Sequence, residues 1–234
     1  MNEAGPMPGG IGVLGGTFNP VHRGHVHAAL AVAGALELER VVFVPAAVPP
    51  LKQRGADGMA PARDRLAWAR MAVAGHPQLE VDALELEREG PSYTVETMRV
   101  LAERWGEPPV FLIGHDAFVE LPAWREPETL LTLCHLAVMT RPPVREGSIA
   151  AWLPAPLARS FSFSADGQIA RHRTAGTWIR RVAIDALDIS ATQVRKRLRA
   201  GCAIDDLVPE PVARAVVASG IYADPPTRQE ETRD

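Results

Sequence analysis

The apolar positions of this chain alternate between short unbroken runs and longer stretches in which apolar residues recur every three or four positions. The unbroken runs predict six strands, at residues 10–15, 40–44, 79–84, 110–114, 136–140 and 182–184. The longer stretches predict five helices, at residues 24–38, 61–75, 94–105, 190–200 and 209–219. Strands that are apolar throughout are typical of a parallel sheet with both faces covered. The pattern therefore predicts an α/β fold, a doubly wound, Rossmann-like parallel sheet with helices on both faces.

The remaining segments predict the limits of the folded region. Residues 10–223 are expected to form a single domain, since a chain of 234 residues can bury one substantial core. Residues 1–9, rich in Gly and Pro, and the polar residues 224–234 are expected to be flexible tails. Two long segments with many Pro and Gly residues, 45–60 and 142–176, are predicted to be loops. Loops of that length usually bind a ligand or are disordered.

Composition removes several classes of function. The net charge of −3 and the hydrophobic fraction of 47% are ordinary for a globular protein and give no basic excess for nucleic acid. The longest apolar runs are too short to cross a bilayer, and the N-terminus lacks the pattern of a signal peptide. Two cysteines form neither a disulfide framework nor a metal motif. We expect a cytoplasmic protein without a nucleic-acid or membrane partner, and the sequence leaves its oligomeric state open.

The segment that follows the first strand has the features of an anion site. It reads GGTFNPVHRGH over residues 15–25, so that a glycine turn connects a strand to the start of a helix. Backbone N–H groups and the helix dipole favour an anion at such a place, and glycine lets the backbone approach it closely. His22 and His25 are three residues apart and share one face of the first helical turn. Both imidazoles can therefore donate to the same phosphate chain, which indicates nucleotide chemistry.

Other interpretations of these residues are weaker. Gly10, Gly12 and Gly15 fit the dinucleotide-binding fingerprint, but they lie within or before the strand instead of after it. No Gly-Lys-Ser/Thr follows a glycine loop, which argues against a P-loop ATPase. His27 faces away from His22 and His25, which argues against a metal site. In the plainest alternative, His22 is a helix cap and His25 a core histidine.

A second polar cluster occupies residues 188–197. Ser190 and Gln193 fit a capping box, so the last but one helix is predicted to start here. Arg195 adds a planar guanidinium one turn into that helix. Alone, this is the pattern of an ordinary capped helix with a basic face. Together with His22 and His25, it predicts a second contact with the same polyphosphate.

Two further features fall where a nucleotide would bind. Gly114 and Asp116 follow the fourth strand, and ligands of open parallel sheets gather at the carboxyl ends of strands. Asp116 could accept hydrogen bonds from ribose hydroxyls or cap the next helix. Trp124 is predicted to lie in a loop, where an indole either stacks on a ligand or packs beneath the loop.

Taken together, these motifs resemble the HxGH nucleotidyltransferase superfamily and, within it, the bacterial nicotinate-nucleotide adenylyltransferase family. The resemblance extends over residues 10–223. Its specific matches are residues 15–25, 49–52, 90–94, 111–116, Trp124, 140–142, 189–195 and the closing helix with residues 220–222. The segment 92–94, Ser-Tyr-Thr, and the Trp124 loop favour nicotinate nucleotide over pantetheine phosphate as the acceptor.

The resemblance implies that nicotinate mononucleotide and ATP give deamido-NAD and pyrophosphate, by in-line attack on the ATP α-phosphate. It implies catalytic contacts from His22, His25 and Arg195. It implies ATP contacts from Gly15, Gly16, Thr17, Phe18, His22, His25, Gly114, Asp116, Ile189, Ser190, Thr192 and Arg195. It implies nicotinate-nucleotide contacts from Lys52, Tyr93, Thr94, Trp124 and Arg141. Mg²⁺ is expected as a cofactor that bridges ATP phosphate oxygens, without a dedicated protein site.

The chain departs from the family pattern at a few positions. Asn19 stands where bacterial members usually carry Asp, and Leu51 replaces a common His. Ala46 and Ala47 occupy a stretch that is often polar, and Ala191 replaces a Ser. All but Ala191 fall where the acceptor should bind. Two alternatives therefore stay open: a transferase that uses nicotinamide mononucleotide or phosphopantetheine, and a nucleotide-binding module without catalysis.

Overall fold

A computed structural model describes residues 10–50, 58–140 and 147–223 of the chain. The predicted acceptor contacts Lys52 and Arg141, the substituted Leu51 and the two predicted tails lie outside the described residues. The strands are β1 (Ile11–Gly16), β2 (Arg40–Pro45), β3 (Leu79–Val81), β4 (Val110–Gly114), β5 (His135–Thr140), β6 (Phe161–Phe163), β7 (Ile169–His172) and β8 (Trp178–Ala183). Within the described ranges they form one sheet in the order β3-β2-β1-β4-β5-β8-β7-β6.

Helices connect most of the strands. They are α1 (Arg23–Leu36), α2 (Ala62–Val73), α3 (Thr94–Trp105), α4 (His115–Val119), α5 (Pro127–Leu133), α6 (Ile149–Trp152), α7 (Ala155–Ala158), α8 (Ala191–Arg199) and α9 (Glu210–Ser219), with one 3₁₀ turn at Leu121–Ala123. No helix in the described ranges combines the length and the apolar character needed to cross a bilayer.

Six neighbouring strands of the sheet pair in parallel and carry apolar side chains on both faces. In spatial order they are β3, β2, β1, β4, β5 and β8. Leu14 and Phe43 belong to the core under α1, α2 and α9, whereas the neighbouring Val13 and Val42 belong to the core under α3 and α5. This alternation is what period-two side-chain geometry requires of a strand that is buried twice. The predicted doubly wound sheet with helices on both faces is confirmed.

The order of the strands reverses beside β1. β2 and β4 flank β1, and the chain moves outward from β1 in both directions. Because connections on the two sides lie on opposite faces, a crevice opens beyond the carboxyl ends of β1 and β4. Residues 15–25 and 114–116 both follow these strand ends.

The prediction of a loop over residues 142–176 was wrong in its described part. Residues 147–176 contain α6, α7 and the antiparallel strands β6 and β7, which extend the sheet beyond β8. Phe161 and Ala170 are the buried residues of these two strands, so each strand contributes only one apolar residue to the core. A pattern that short does not separate a strand from a loop. β8 also begins earlier than predicted, because Arg180 and Arg181 interrupt its apolar run.

Candidate active site

A cleft of about 850 Å³ opens at the carboxyl ends of β1, β4, β5 and β8. The predicted ATP contacts that line it are His22, His25, Gly114, Asp116 and Ile189. Residues from the first strand end, the fourth strand end and the entrance to α8 thus meet around one space, although they are far apart in the sequence. The other predicted ATP contacts, all of them among the described residues, do not line this cleft.

His22 and His25 are held against each other at the start of α1. The backbone N–H of His22 donates to His25 Nδ1 at 3.2 Å, and the two rings stack with centroids 3.6 Å apart. Since Nδ1 of His25 accepts this bond, Nε2 is the ring nitrogen that can donate a hydrogen bond. The edge of the Phe18 ring supports His25 at a centroid distance of 5.0 Å. The pair is therefore fixed in position before any ligand binds.

His22 is kept neutral by its surroundings. Burial lowers the pKa of His22 to about 4, because the charged imidazolium loses its hydration. His22 is the N-cap of α1 and its side chain faces the His25 backbone N–H, but the buried Nδ1 makes no hydrogen bond to the residues that the structure describes. Buried polar atoms normally have partners, so an exception on a cleft wall is typical of a functional site.

Gly24 makes room for the His22 ring. A Cβ atom at Gly24 would lie 3.0 Å from His22 Nδ1 and 3.5 Å from the carbonyl oxygen of Ile189. A contact near 3.0 Å is tight, so a side chain at this position would displace the His22 ring by a few tenths of an ångström. The same two distances show that the start of α1 and the segment before α8 approach each other closely. The two polar clusters of the sequence are therefore brought together.

The loop from Thr17 to Val21 is held by two buried arginines. Arg65 on α2 donates to the carbonyl oxygens of Thr17 at 2.6 Å, Ala60 at 3.0 Å and Ala47 at 3.2 Å. Arg195 on α8 donates to the carbonyl oxygen of Asn19 at 2.9 Å and to Thr192 Oγ1 at 3.3 Å. Arg195 thus lies behind the loop as well as beside the start of α8.

Sequence reasoning missed Arg65, although a signal was present. Arg65 is 1% exposed and shares the buried face of α2 with Trp68, Ala69 and Ala72. A cation at a core position of an amphipathic helix must find partners, and here the partners are the carbonyl oxygens of Thr17, Ala47 and Ala60. Burial lowers the pKa of Arg65, while Tyr222 and Glu85 act in the opposite direction.

The start of α8 has the predicted cap. Ser190 Oγ accepts a hydrogen bond from the backbone N–H of Gln193 at 3.2 Å, and Ser190 is the N-cap residue. Both Ser190 and Thr192 are exposed. Their hydroxyls and the first N–H groups of the helix therefore remain accessible to an anion.

The residues predicted for the acceptor form a separate group at the entrance to α3. Tyr93 is the N-cap of α3 and Thr94 its first residue. The Arg125 guanidinium lies 4.9 Å from the Tyr93 ring centroid, which connects Tyr93 to the loop of Trp124. Trp124 is half-buried and packs edge-on against Phe111 at 6.2 Å. A second cleft of about 760 Å³ lies near this group, with Ala47, Val48, Arg88 and Gly90 in its wall.

His115 is a further cleft residue that the sequence did not single out. It lines the main cleft between Gly114 and Asp116, and its ring packs edge-on against Trp152 at 4.5 Å. Asp116 Oδ1 is 3.7 Å from His115 Nδ1, too far for a hydrogen bond. Within the described part of the chain, neither ring nitrogen of His115 has a hydrogen-bond partner.

Comparisons with known proteins agree with this geometry. The sequence model of the cytidylyltransferase-like family matches residues 13–197. A protein of Geobacter metallireducens named probable nicotinate-nucleotide adenylyltransferase is 38% identical over 90% of this chain and 97% of its own length. A protein of the same name from Pseudomonas syringae pv. tomato is 40% identical over 94% of this chain and 97% of its own length.

Solved structures show the same fold at lower identity. The Plasmodium falciparum nicotinic acid mononucleotide adenylyltransferase in complex with NaAD has a TM-score of 0.66 at 14% identity, over 92% of this chain and 98% of that chain. The same protein in complex with APC has a TM-score of 0.64. With curated relatives at 38% and 40% identity that it covers almost from end to end, the chain belongs to the nicotinate-nucleotide adenylyltransferase family of cytidylyltransferase-like proteins.

Proposed function

We propose that this chain transfers the adenylyl group of ATP to nicotinate mononucleotide, giving deamido-NAD and pyrophosphate. The observation that carries the proposal is the stacked His22–His25 pair at the start of α1, in one cleft with Gly114 and Asp116. The names of the relatives and the NaAD bound to a structural neighbour support the same reaction. Its substrates are small molecules, and we place the reaction in the cytoplasm.

The proposed chemistry is a single displacement. An oxygen of the nucleotide phosphate forms a bond to the ATP α-phosphorus, and the bond from that phosphorus to the bridging oxygen breaks, so that pyrophosphate leaves with the electron pair. The protein contributes position and charge stabilisation and forms no covalent intermediate. His22 and His25 would donate to the triphosphate, beside the backbone N–H groups of Gly15, Gly16 and Thr17. An anion at His22 would raise its low pKa and draw a proton onto the ring.

The other residues divide between donor and acceptor. Ser190, Thr192 and Arg195 would bind the β- and γ-phosphates and the departing pyrophosphate, at the accessible start of α8. Gly114 and Asp116 would bind the adenosine. Tyr93, Thr94 and Trp124 would receive the nicotinate ring. Lys52 and Arg141 remain proposed acceptor contacts that lie outside the described residues.

Mg²⁺ would bind mainly through the ATP phosphates. In the described ranges no group of three His, Cys, Asp or Glu side chains could hold a metal ion, so these residues do not form a protein cage for it. Asp116 and Asp188 are carboxylates that line the same cleft. A bound Mg²⁺ would neutralise phosphate charge.

The acceptor decides between the proposal and its nearest alternative. Initial rates of pyrophosphate release should be measured with ATP, Mg²⁺ and each of three acceptors: nicotinate mononucleotide, nicotinamide mononucleotide and phosphopantetheine. We expect the highest kcat/KM with nicotinate mononucleotide. Equal or better rates with another acceptor would refute the substrate assignment. ATP binding without pyrophosphate release for every acceptor would favour a non-catalytic module.

A further inference from the structure

Four segments of the chain meet at the Asn19 side chain and its carbonyl group. Asn19 Oδ1 accepts hydrogen bonds from the Ala60 N–H at 2.9 Å and from the Tyr222 hydroxyl. Asn19 Nδ2 donates to the Gly58 carbonyl oxygen at 3.3 Å. The backbone oxygen of Asn19 accepts from Arg195 at 2.9 Å. We call these five residues, Asn19, Gly58, Ala60, Arg195 and Tyr222, the Asn19 cluster.

Apart from the exposed Gly58, the residues of the cluster are buried, so water does not compete for their hydrogen bonds. Asn19 is 8% exposed and Tyr222 is 4% exposed. Both lone pairs of Asn19 Oδ1 are used, and breaking one bond would leave a buried polar atom without a partner. Burial raises the pKa of the Tyr222 phenol, although Arg195 and Arg65 act against it. The hydroxyl is therefore neutral and can donate a hydrogen bond to Asn19 Oδ1 at any working pH.

Tyr222 lies near the C-terminal end of the described residues, far from Asn19 in the sequence. Helix α9 ends at Ser219 and is capped by Gly220, whose φ of 62° reverses the direction of the chain. The Tyr222 ring then lies 6.0 Å from that of Trp68 on α2. This packing directs the hydroxyl at a loop that is 203 residues away in the sequence.

The loop that receives this bond carries donor-site residues on both sides. Thr17 and Phe18 precede Asn19, and His22 follows it by three residues. The carbonyl oxygen of Asn19 directs the same guanidinium, Arg195, that the proposed function assigns to the phosphates. A change in the position of Asn19 would therefore change the direction of Arg195 as well as that of the loop.

We infer that Tyr222 is a positioning residue for adenylyl transfer, which fixes Asn19 and through it the orientation of Arg195 toward the ATP phosphates. The inference rests on the proposed function for the role of Arg195. It makes the turn at residues 220–222 part of the donor site, although Tyr222 touches no reacting atom.

The test compares two buried hydroxyls that differ in location. Tyr222→Phe removes the donor to Asn19. Thr177→Val is the matched control, because the buried Thr177 hydroxyl donates to the Leu131 carbonyl oxygen at 2.6 Å, outside the cluster. Each variant is assayed for its Kd for ATP by calorimetry without acceptor, for kcat and KM, and for urea unfolding. Both should lose stability, and Tyr222→Phe alone should weaken ATP binding, by about three- to tenfold, the scale of one hydrogen bond.

A second background shows whether Tyr222 acts through Arg195. If it does, Tyr222→Phe should leave the Kd for ATP unchanged in an Arg195→Gln protein, because the two losses are not additive.

Two outcomes would overturn the inference: a stability loss in Tyr222→Phe with wild-type ATP binding, or an equal loss of binding in both backgrounds. Failure of the proposed function gives a different result. In that case the wild-type protein would bind ATP without transfer to nicotinate mononucleotide, and the ATP Kd would still report on Tyr222.

Discussion

Two histidines of this protein have the same lowered pKa and lie at opposite ends of the parallel strands. Burial lowers the pKa of His22 to about 4, and burial together with the charge of Arg171 lowers that of His135 to about 4. His22 lies beyond the carboxyl end of β1, whereas His135 is the first residue of β5, at the amino ends of the parallel strands. A lowered pKa therefore does not by itself distinguish the candidate site from the rest of the molecule.

Their hydrogen bonds do distinguish them. His135 Nδ1 accepts a hydrogen bond from the backbone N–H of Trp178 at 3.1 Å, and its ring stacks on the Trp178 indole with centroids 4.6 Å apart. His22 Nδ1 has no partner within the described ranges, and its ring borders a cleft. One buried histidine thus completes a structural contact, while the other has hydrogen-bonding capacity left for a ligand. Substitutions and pH should separate the two roles.

The largest expected effect is on catalysis. His22→Ala should lower turnover of ATP and nicotinate mononucleotide about a hundredfold or more, the scale for losing one preorganised group that stabilises charge. Measurement of kcat with the folded variant checks this. His27→Ala is the control on the same helix. The His27 ring contacts the Asp185 carbonyl oxygen, so this variant should leave turnover unchanged. Wild-type turnover in folded His22→Ala would remove His22 from the mechanism.

Acid should destabilise the protein through both histidines. Each folded-state pKa, about 4, lies below the ordinary value of 6.5, so the unfolded chain binds more protons between these values. The stability present above pH 6.5 is therefore lost as the pH falls toward 4, by on the order of 2 kcal/mol for each histidine. Urea unfolding at several pH values measures the slope. His135→Gln should make it shallower, and an unchanged slope would contradict the assignment.

His135→Ala should affect stability without affecting catalysis. The variant leaves the backbone N–H of Trp178 without its acceptor, which costs about 1–3 kcal/mol of unfolding free energy. Turnover per folded molecule should stay within about twofold of wild type, because His135 lies at the amino ends of the strands, away from the cleft. Urea unfolding and active-site-normalised kcat give the two numbers. A large loss of kcat would show that the comparison of the two histidines is mistaken.

The smallest expected effect comes from a glycine pair on α1. Gly24→Ala would place a Cβ atom 3.0 Å from His22 Nδ1 and should lower kcat about three- to tenfold by displacing the ring. Gly34→Ala is the matched control, since nothing lies within 4 Å of its Cβ position. The control should raise stability by about 0.5–1 kcal/mol, the usual gain in helix propensity. Equal kcat values for the two variants would show that the His22 ring tolerates displacement.

Sequence alone predicted the parts of this molecule that leave a local pattern. The bounds of α3 and β4 agree with the predicted residues, because an amphipathic period and an unbroken apolar run are both local. The meeting of residues 15–25 with residues 188–197 was expected from motifs, and the close approach of Gly24 and Ile189 confirms it. The contacts of Arg65 and Tyr222 could not be predicted from such local patterns. Each is a bond between distant segments: the period of α2 indicates that Arg65 must find a partner, but it does not indicate which one.

The most direct test of the account is the pKa of His22 measured by NMR of ring-labelled histidine, without and with saturating ATP in the absence of acceptor. Because a triphosphate beside the ring stabilises the imidazolium, the pKa of His22 should rise from about 4 by at least about one unit, while that of His135 stays near 4. If ATP binds and the pKa of His22 does not change, the triphosphate does not lie against His22, and the proposed donor site is wrong.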